Sequence, residues 1–141
     1  LYICGGSSIS HPYVEELIDW RERQGYIVYA VSTSETGTST SSVSNYIEDA
    51  YDDWDNPPEI VGLIGDVGGS YNIATYTIQG GAGDNEYAYI EGNDFLPEIL
   101  QRRGFVAEGP VDKNILEIQM MKTQKMLFKI KNHFQHFPYY D

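Results

Sequence analysis

The sequence is poor in cysteine: its 141 residues contain a single one, Cys4. One thiol cannot form a disulfide within the chain, and it cannot build a cysteine cluster for zinc. Both kinds of covalent or metal-based scaffold are therefore excluded. A chain of this length and composition can bury one hydrophobic core, so we expect one globular domain by default.

Basic residues are scarce over most of the chain. Residues 1–101 contain 17 acidic side chains but only two basic ones, Arg21 and Arg23, and no lysine. The formal net charge is -12 and the pI is near 4.4. A nucleic-acid surface needs lysine and arginine to displace the counterions of the phosphates, so this composition argues against nucleic acid and against an anionic membrane.

Long hydrophobic runs are absent as well. No apolar stretch approaches the roughly 20 residues that span a bilayer. No charged start precedes an apolar stretch of about 7 to 15 residues, the pattern of a signal peptide. We therefore expect no membrane span and no signal peptide in this sequence. Because it begins at Leu1 and not at Met, we expect the chain to be processed or excised from something longer.

The composition changes near QRRGF, residues 101–105. Residues 102–141 contain seven basic and four acidic side chains, with every lysine and all three methionines of the sequence. We therefore divide the chain into residues 1–101 and a divergent basic tail, 102–141. The apolar residues of the tail favour a helix without one clean apolar face.

Strand and helix patterns alternate in the first zone. Short apolar runs predict buried parallel strands, and apolar residues three and four apart predict helices with one buried face. Such strand–helix–strand units predict an α/β fold, a parallel sheet with flanking helices. We predict strands at 1–4, 26–31 and 59–65, helices from Pro12 to just before Gly25 and over 43–54, a polar loop at 34–42, and two further strands at 74–79 and 86–90 joined by the turn 80–85.

Asp66 directly follows the third predicted strand. In parallel sheets ligands collect beyond the carboxyl ends of the strands, where this side chain should lie. A receiver-type phosphoacceptor would need more acids after the first strand, and a P-loop would need a lysine followed by serine or threonine. The sequence supplies neither. Asp66 is then a metal ligand or a loop aspartate that caps the next turn.

The segment YIEGNDFLPEI, residues 89–99, carries three carboxylates around a Gly-Asn turn: Glu91, Asp94 and Glu98. Calcium takes about 6 to 8 oxygen ligands from carboxylates and backbone carbonyls, and an irregular acidic turn can supply both. The absence of cysteine and histidine here favours a hard cation over zinc. Taken alone, this segment is either a solvated acidic loop or a calcium site, and if it returns to the edge that holds Asp66, that aspartate becomes a ligand together with Asp94 and Glu98.

Groups for catalysis are few. Cys4 would be a candidate nucleophile only beside a histidine, and His11 is the one expected on the same side of the sheet, but a buried free cysteine in a strand is the ordinary case. His133 and His136 lie in the basic tail, and their spacing is better explained as incidental than as a metal pair. Composition does not exclude paired acids for glycoside hydrolysis, but nothing in the sequence locates a sugar cleft.

Several motifs together resemble one known family. They are YVEELIDWRERQGYIVYAVSTSE, then SSVSNYIEDAYDDWDNPPEIVGLIGDVGGSY, then GDNEYAYIEGNDFLPEIL, in that order. Over residues 1–101 the sequence resembles the opening half of the gingipain-type cysteine peptidase domain, which has a caspase-like fold. The resemblance weakens at ILQRRGFVAEGP, where the family continues with Ile-Gly-Arg; Arg102 or Arg103 corresponds to that arginine. We therefore expect the N-terminal subdomain of that fold, incomplete in this chain, and we hypothesise that the tail comes from a truncated or disrupted reading frame.

The resemblance implies a secreted endopeptidase whose thiolate is activated by histidine, acting on protein or peptide substrates. It also implies a bound calcium ion. Asp66, Asp94 and Glu98 would give side-chain oxygens to this ion, and Glu91 and Leu96 backbone carbonyls.

The catalytic half does not carry over. The sequence has no His-Gly pair and no cysteine after Cys4, so we expect no catalytic residue in this chain and dependence on the remainder of the catalytic domain. A non-enzymatic calcium-binding or structural module with the same sheet is the alternative. A receiver or flavodoxin-like domain would keep the topology but lacks its required residues.

Overall fold

The computed structural model describes residues 1–78, 80–91 and 97–104. Within these ranges the chain forms six strands, three α-helices and two short 3₁₀ helices. In chain order they are β1 (Tyr2–Cys4), a 3₁₀ helix (Gly6–Ser10), α1 (Pro12–Arg23), β2 (Ala30–Ser32), α2 (Thr33–Thr36), α3 (Thr40–Asp53), β3 (Ile60–Ile64), β4 (Tyr76–Ile78), β5 (Gly81–Gly83), a second 3₁₀ helix (Asn85–Ala88) and β6 (Leu100–Gly104).

Four of these strands form a parallel sheet in the order β2-β1-β3-β6. Ile3 is paired with Val31 on one side and with Leu63 on the other. Strand β3 in turn pairs with β6, from Ile60 opposite Leu100 to Ile64 opposite Gly104. Strands β4 and β5 form a separate antiparallel pair. The predicted α/β fold, a parallel sheet with flanking helices, is confirmed.

Helix α1 begins and ends where the sequence predicts. Pro12 occupies the first turn, where the missing backbone N–H costs no hydrogen bond. His11 precedes it and caps the helix, its Nδ1 accepting from the backbone N–H of Tyr13 at 3.3 Å. Gly25 lies just past the end with φ of 93°, a left-handed conformation that glycine adopts most easily.

Helix α3 begins three residues earlier than the apolar stripe suggests. The hydroxyl of Ser39 accepts from the backbone N–H of Ser42, and the backbone N–H of Ser39 donates to the Ser42 hydroxyl, both at 3.1 Å. This reciprocal capping box satisfies two donors that would otherwise lack a partner at the helix start. The predicted polar loop at 34–42 thus contains the first turn of α3, as well as most of the short helix α2.

The core lies between α3 and one face of the sheet. Because side chains alternate along a strand, Ile3, Val31 and Leu63 face the same side at paired positions. They are buried with Val43 and Ile47 of α3 in one hydrophobic cluster. Each such side chain contributes about 1.5–3 kcal/mol when fully buried, so this cluster is the main source of stability.

The other face of the sheet is also covered. Cys4 and Ile64 are paired across β1 and β3 and are both buried. Val14 and Leu17 form the buried stripe of α1. No helix in the described ranges is long and apolar enough to cross a membrane.

Three predicted elements differ in the structure. Strand β2 starts at Ala30, so residues 26–29 are not part of it. The glycine-rich turn supplies β5 itself, which pairs with β4. Residues 85–88 form a 3₁₀ helix in place of the strand predicted at 86–90; Tyr87 and Ala88 are both buried there, and the Tyr87 hydroxyl donates to the carbonyl of Ala74 at 2.8 Å.

The boundary predicted at residue 101 falls inside β6, which runs to Gly104. The remainder of the basic tail, with its predicted helix and with His133 and His136, lies outside the described residues.

Candidate functional site

The carboxyl edge of the sheet is assembled by close backbone contacts. The N–H of Gly5 donates to the carbonyl of Ile64 at 2.9 Å, which joins the ends of β1 and β3. A side chain at Gly5 or at Gly65 would collide with the carbonyl of Tyr71. Glycine at both positions therefore allows the turn 66–72 to pack directly against the strand ends.

Asp66 organises this turn. Its carboxylate accepts from the N–H of Val67 at 2.7 Å, and the Asn72 side chain accepts from the N–H of Gly68 at the same distance. The backbone of Asp66 also pairs with that of the turn's far end, through Tyr71 and Ile73. Asp66 is exposed and caps its own turn, which is the second of the two interpretations left open by the sequence.

Glu98 closes the other candidate segment. Its Oε2 accepts from the backbone N–H of Ile90 at 2.7 Å, and its own N–H donates to the carbonyl of Ala88 at 3.0 Å. The hydrogen bond from Ile90 is the main reason why the pKa of Glu98 is lowered. The carboxylate is therefore held in its charged form beside Ile90.

Glu91 and Glu98 share a neighbour, Tyr51, near the end of α3. The negative charge of Glu91 is the main cause that raises the pKa of Tyr51, and burial and the charge of Glu98 add to it. The two glutamates therefore concentrate negative charge at one place. Asp94 and Leu96, the other expected ligands of this segment, lie outside the described residues.

Asp66 lies far from this pair of acids. Ile60 is level with Leu100, and Ile64 is level with Gly104. The strand rises about 13 Å between those two levels. Because Asp66 follows Ile64 and Glu98 precedes Leu100, the two carboxylates lie beyond opposite ends of the β3–β6 pair. Glu98 therefore does not lie at the edge that holds Asp66.

No group of three or more histidine, cysteine, aspartate or glutamate side chains among the described residues is arranged to hold a metal ion. Glu91 and Glu98 are the expected ligands that the structure does place together. The Glu98 carboxylate and the backbone carbonyl expected from Glu91 are oxygen donors of the kind that a hard cation takes, whereas Asp66 lies beyond the opposite end of the β3–β6 pair.

Cys4 and His11 do not form a catalytic pair. Cys4 is fully buried, and burial raises the pKa of its thiol to about 12 even though a hydrogen bond with Ser8 opposes the shift. A reactive cysteine needs the opposite shift, towards a stable thiolate. The His11 ring caps α1, and its centroid lies 5.1 Å from that of Tyr13 in a tilted contact and 6.4 Å from that of Tyr71 in an edge-on contact.

A polar network that the sequence does not reveal joins β6 to the residues that follow the turn 66–72. Arg103 forms a two-pronged ion pair with Asp84, and its remaining donors reach the carbonyls of Ile73 and Ala74. The sequence predicts Arg103 only as one of two counterparts of a family arginine. Its partner Asp84 follows a glycine-rich stretch, a signal that is too common to predict an ion pair.

A cavity of about 480 Å³ lies at the opposite, amino edge of the sheet. Its walls include Arg21, Tyr26, Tyr29, Asp55 and Glu59. It is remote from the carboxyl edge, where ligands bind in parallel sheets.

Comparison with known proteins decides the family. Residues 1–107 match the family model described as peptidase family C25. The chain belongs to this family. The predicted resemblance to gingipain-type peptidases is confirmed. No curated protein matches the sequence.

Solved gingipain structures share the fold of this C25 chain. The crystal structure of the Arg-specific cysteine proteinase gingipain R (RgpB) matches with a TM-score of 0.65 and 17% identity, over 76% of this chain and 24% of that one. The complex of Porphyromonas gingivalis RgpB pro- and mature domains matches with 0.66 and 18%, over 76% and 25%. The C25 chain thus forms part of a gingipain-like cysteine peptidase domain and spans about a quarter of those chains.

Proposed function

We propose that this chain supplies the N-terminal scaffold of a secreted cysteine endopeptidase that acts on protein or peptide substrates. The nucleophile, its histidine and the specificity pocket would come from the remainder of the catalytic domain. Membership of peptidase family C25 over residues 1–107 supports the class of reaction. The match to about a quarter of the gingipain chains supports the division of roles.

The environment of Cys4 is the observation that supports a nucleophile supplied by the remainder of the catalytic domain. Its thiol is buried, the pKa of that thiol is raised to about 12, and His11, the histidine expected on the same side of the sheet, is engaged as a helix cap. A thiol held neutral at physiological pH cannot attack a peptide carbonyl at a useful rate. The chain alone is therefore expected to have no peptidase activity.

A peptidase assay tests this expectation. The purified chain, with calcium and a reductant, should not cleave casein or short fluorogenic peptides above the level of a blank. Cys4→Ser is the matched variant, because it removes the thiol and keeps a small polar side chain. Turnover by the parent chain that disappears in Cys4→Ser would contradict the proposed division of roles.

We further propose that the segment of residues 91–98 binds calcium. Asp94 and Glu98 would supply carboxylate oxygens, and Glu91 and Leu96 backbone carbonyls, with water completing the shell. The hydrogen bond from the Ile90 N–H to the Glu98 carboxylate and the negative charges of Glu91 and Glu98 near Tyr51 support this set of ligands. Asp66 is left out, because it lies beyond the opposite end of the β3–β6 pair.

Melting scans with and without calcium show whether Asp94 or Asp66 is a ligand of the ion. Calcium at about 100 times its dissociation constant stabilises the folded chain by about 2.7 kcal/mol when it binds that state alone. We expect this gain in the parent chain and in Asp66→Asn, and its loss in Asp94→Asn. An unchanged melting temperature across millimolar calcium would remove the site. A gain that disappears in Asp66→Asn instead would restore the larger ligand set that the sequence suggests.

A further inference from the structure

Arg103 and Asp84 form a buried ion pair with two parallel hydrogen bonds. Arg103 Nε donates to Asp84 Oδ2 at 2.6 Å, and Nη2 donates to Oδ1 at 2.8 Å. Their side chains are only 8% and 18% exposed. By contrast, the exposed pair Arg23–Asp19 joins neighbouring turns of α1 at 3.9 Å. The buried pair is thus the more precisely oriented of the two.

The guanidinium also holds two backbone carbonyls. Nη1 donates to the carbonyl of Ile73 and Nη2 to that of Ala74, each at 3.1 Å. The Tyr87 hydroxyl donates to the Ala74 carbonyl as well, at 2.8 Å. Since a lysine ammonium lacks a planar fork, it could not make this set of contacts from one position.

These carbonyls lie immediately after the turn at the carboxyl edge. The N–H of Ile73 donates to the carbonyl of Asp66 at 2.9 Å, and the N–H of Asp66 donates to the carbonyl of Tyr71 at 3.0 Å. Between these anchors the turn is exposed, and Gly68 and Gly69 adopt positive φ. Arg103 therefore donates a hydrogen bond to Ile73, the residue whose own N–H is bonded to the Asp66 carbonyl at the end of the turn.

We propose that Arg103 is a positioning residue for the carboxyl edge of the sheet. Acting through Ile73 and Ala74, it fixes the turn 66–72 relative to β6, the last described strand of the sheet. Asp84 orients the guanidinium from the other side. The proposal rests on the peptidase function proposed above, which makes this edge the one that faces substrate and the remainder of the catalytic domain.

A purely stabilising ion pair predicts something different. Replacing both partners of a buried pair by apolar side chains is often neutral for stability, whereas removing one leaves an unpaired buried charge. The double variant Arg103→Met with Asp84→Leu should therefore fold, but it should lack the hydrogen bonds to the carbonyls of Ile73 and Ala74. Arg103→Lys provides a second test, because it keeps the charge and loses the fork.

Amide hydrogen exchange on the full chain tests the proposal. In both variants the amides of Asp66 and Ile73 should exchange at least about tenfold faster, the effect of losing charge-assisted hydrogen bonds at a local anchor. The amides of Gly5 and Gly62, which join β1 to β3, should keep the protection of the parent chain. Arg23→Met, at the exposed pair, is the matched control and should change none of the four.

Parent-like protection of Asp66 and Ile73 in either variant would overturn the proposal, since the fork would then not be needed. Equal acceleration of all four amides would also overturn it, because the network would then serve global stability alone. Neither readout requires peptidase activity, so failure here is distinct from failure of the proposed function.

Discussion

At the scale of single residues, Cys4 offers the clearest chemical prediction. Its side chain is fully buried and its thiol has a pKa raised to about 12. We expect iodoacetamide to leave Cys4 unmodified in the folded chain and to alkylate it after denaturation, because only the exposed thiolate reacts. Mass spectrometry before and after unfolding measures the difference. Rapid alkylation of the folded chain would contradict the burial of Cys4.

The same shift fixes a pH window for stability. The unfolded thiol ionises near the ordinary value of 9.0 and the folded one near 12. The contribution of the neutral thiol is therefore complete below the lower value and is lost as the pH rises towards the upper one. The parent chain should lose more stability than Cys4→Ala over this range. The variant serves as the control, because it differs from the parent chain only at this thiol.

At the scale of elements, the start of α3 is the most directly testable feature. Ser39→Ala removes the hydroxyl that accepts from the Ser42 N–H, and loss of such a cap costs about 1 kcal/mol. Ser41→Ala is the matched control, an exposed serine in the first turn. Urea denaturation should show a lower free energy of unfolding for Ser39→Ala and a change within about 0.5 kcal/mol for the control. Equal effects would mean that the capping box contributes nothing specific.

The sequence predicts elements best where local chemistry sets their limits. Pro12 and Gly25 mark the ends of α1 because each restricts or frees the backbone at one residue. The strand predicted at 86–90 is wrong, because local sequence does not set the conformation there. Its tyrosines and isoleucine favour a strand, but Tyr87 is held by a hydrogen bond to Ala74, a partner 13 positions away. Contacts of that kind leave no local pattern in the sequence.

At the scale of the whole molecule, the residue types of the candidate site follow from local sequence, whereas their positions relative to one another depend on distant contacts. The two acidic segments are each recognisable from the sequence, and the strand before Asp66 is predicted correctly. The separation of Asp66 from Glu98 depends on β6, whose parallel register with β3 leaves Glu98 before the amino end of that strand pair. No motif marks β6 as a strand, and the predicted zone boundary at 101 divides it. The ligand residue types could thus be predicted, but not which of them meet.

The distribution of charge leads to a last prediction, about salt. Residues 1–101 hold 17 acidic and two basic side chains, and α3 ends in Asp52 and Asp53, at the negative end of its dipole. The close ion pairs that the structure shows are Arg23–Asp19 and Arg103–Asp84. Added salt should therefore screen more repulsion than attraction, and the melting temperature should rise between about 0.01 and 0.15 M NaCl, as the Debye length falls from about 30 to 8 Å.

Asp53→Asn supplies the control for that measurement. It removes one charge from the unfavourable end of α3, so it should melt higher than the parent chain in low salt, and the difference should shrink in high salt. The calcium scans must be run at constant ionic strength, because calcium chloride also screens. A melting temperature that falls with NaCl would show that attraction dominates the charge balance. A calcium effect that NaCl reproduces at equal ionic strength would identify screening, and not a bound ion, as its cause.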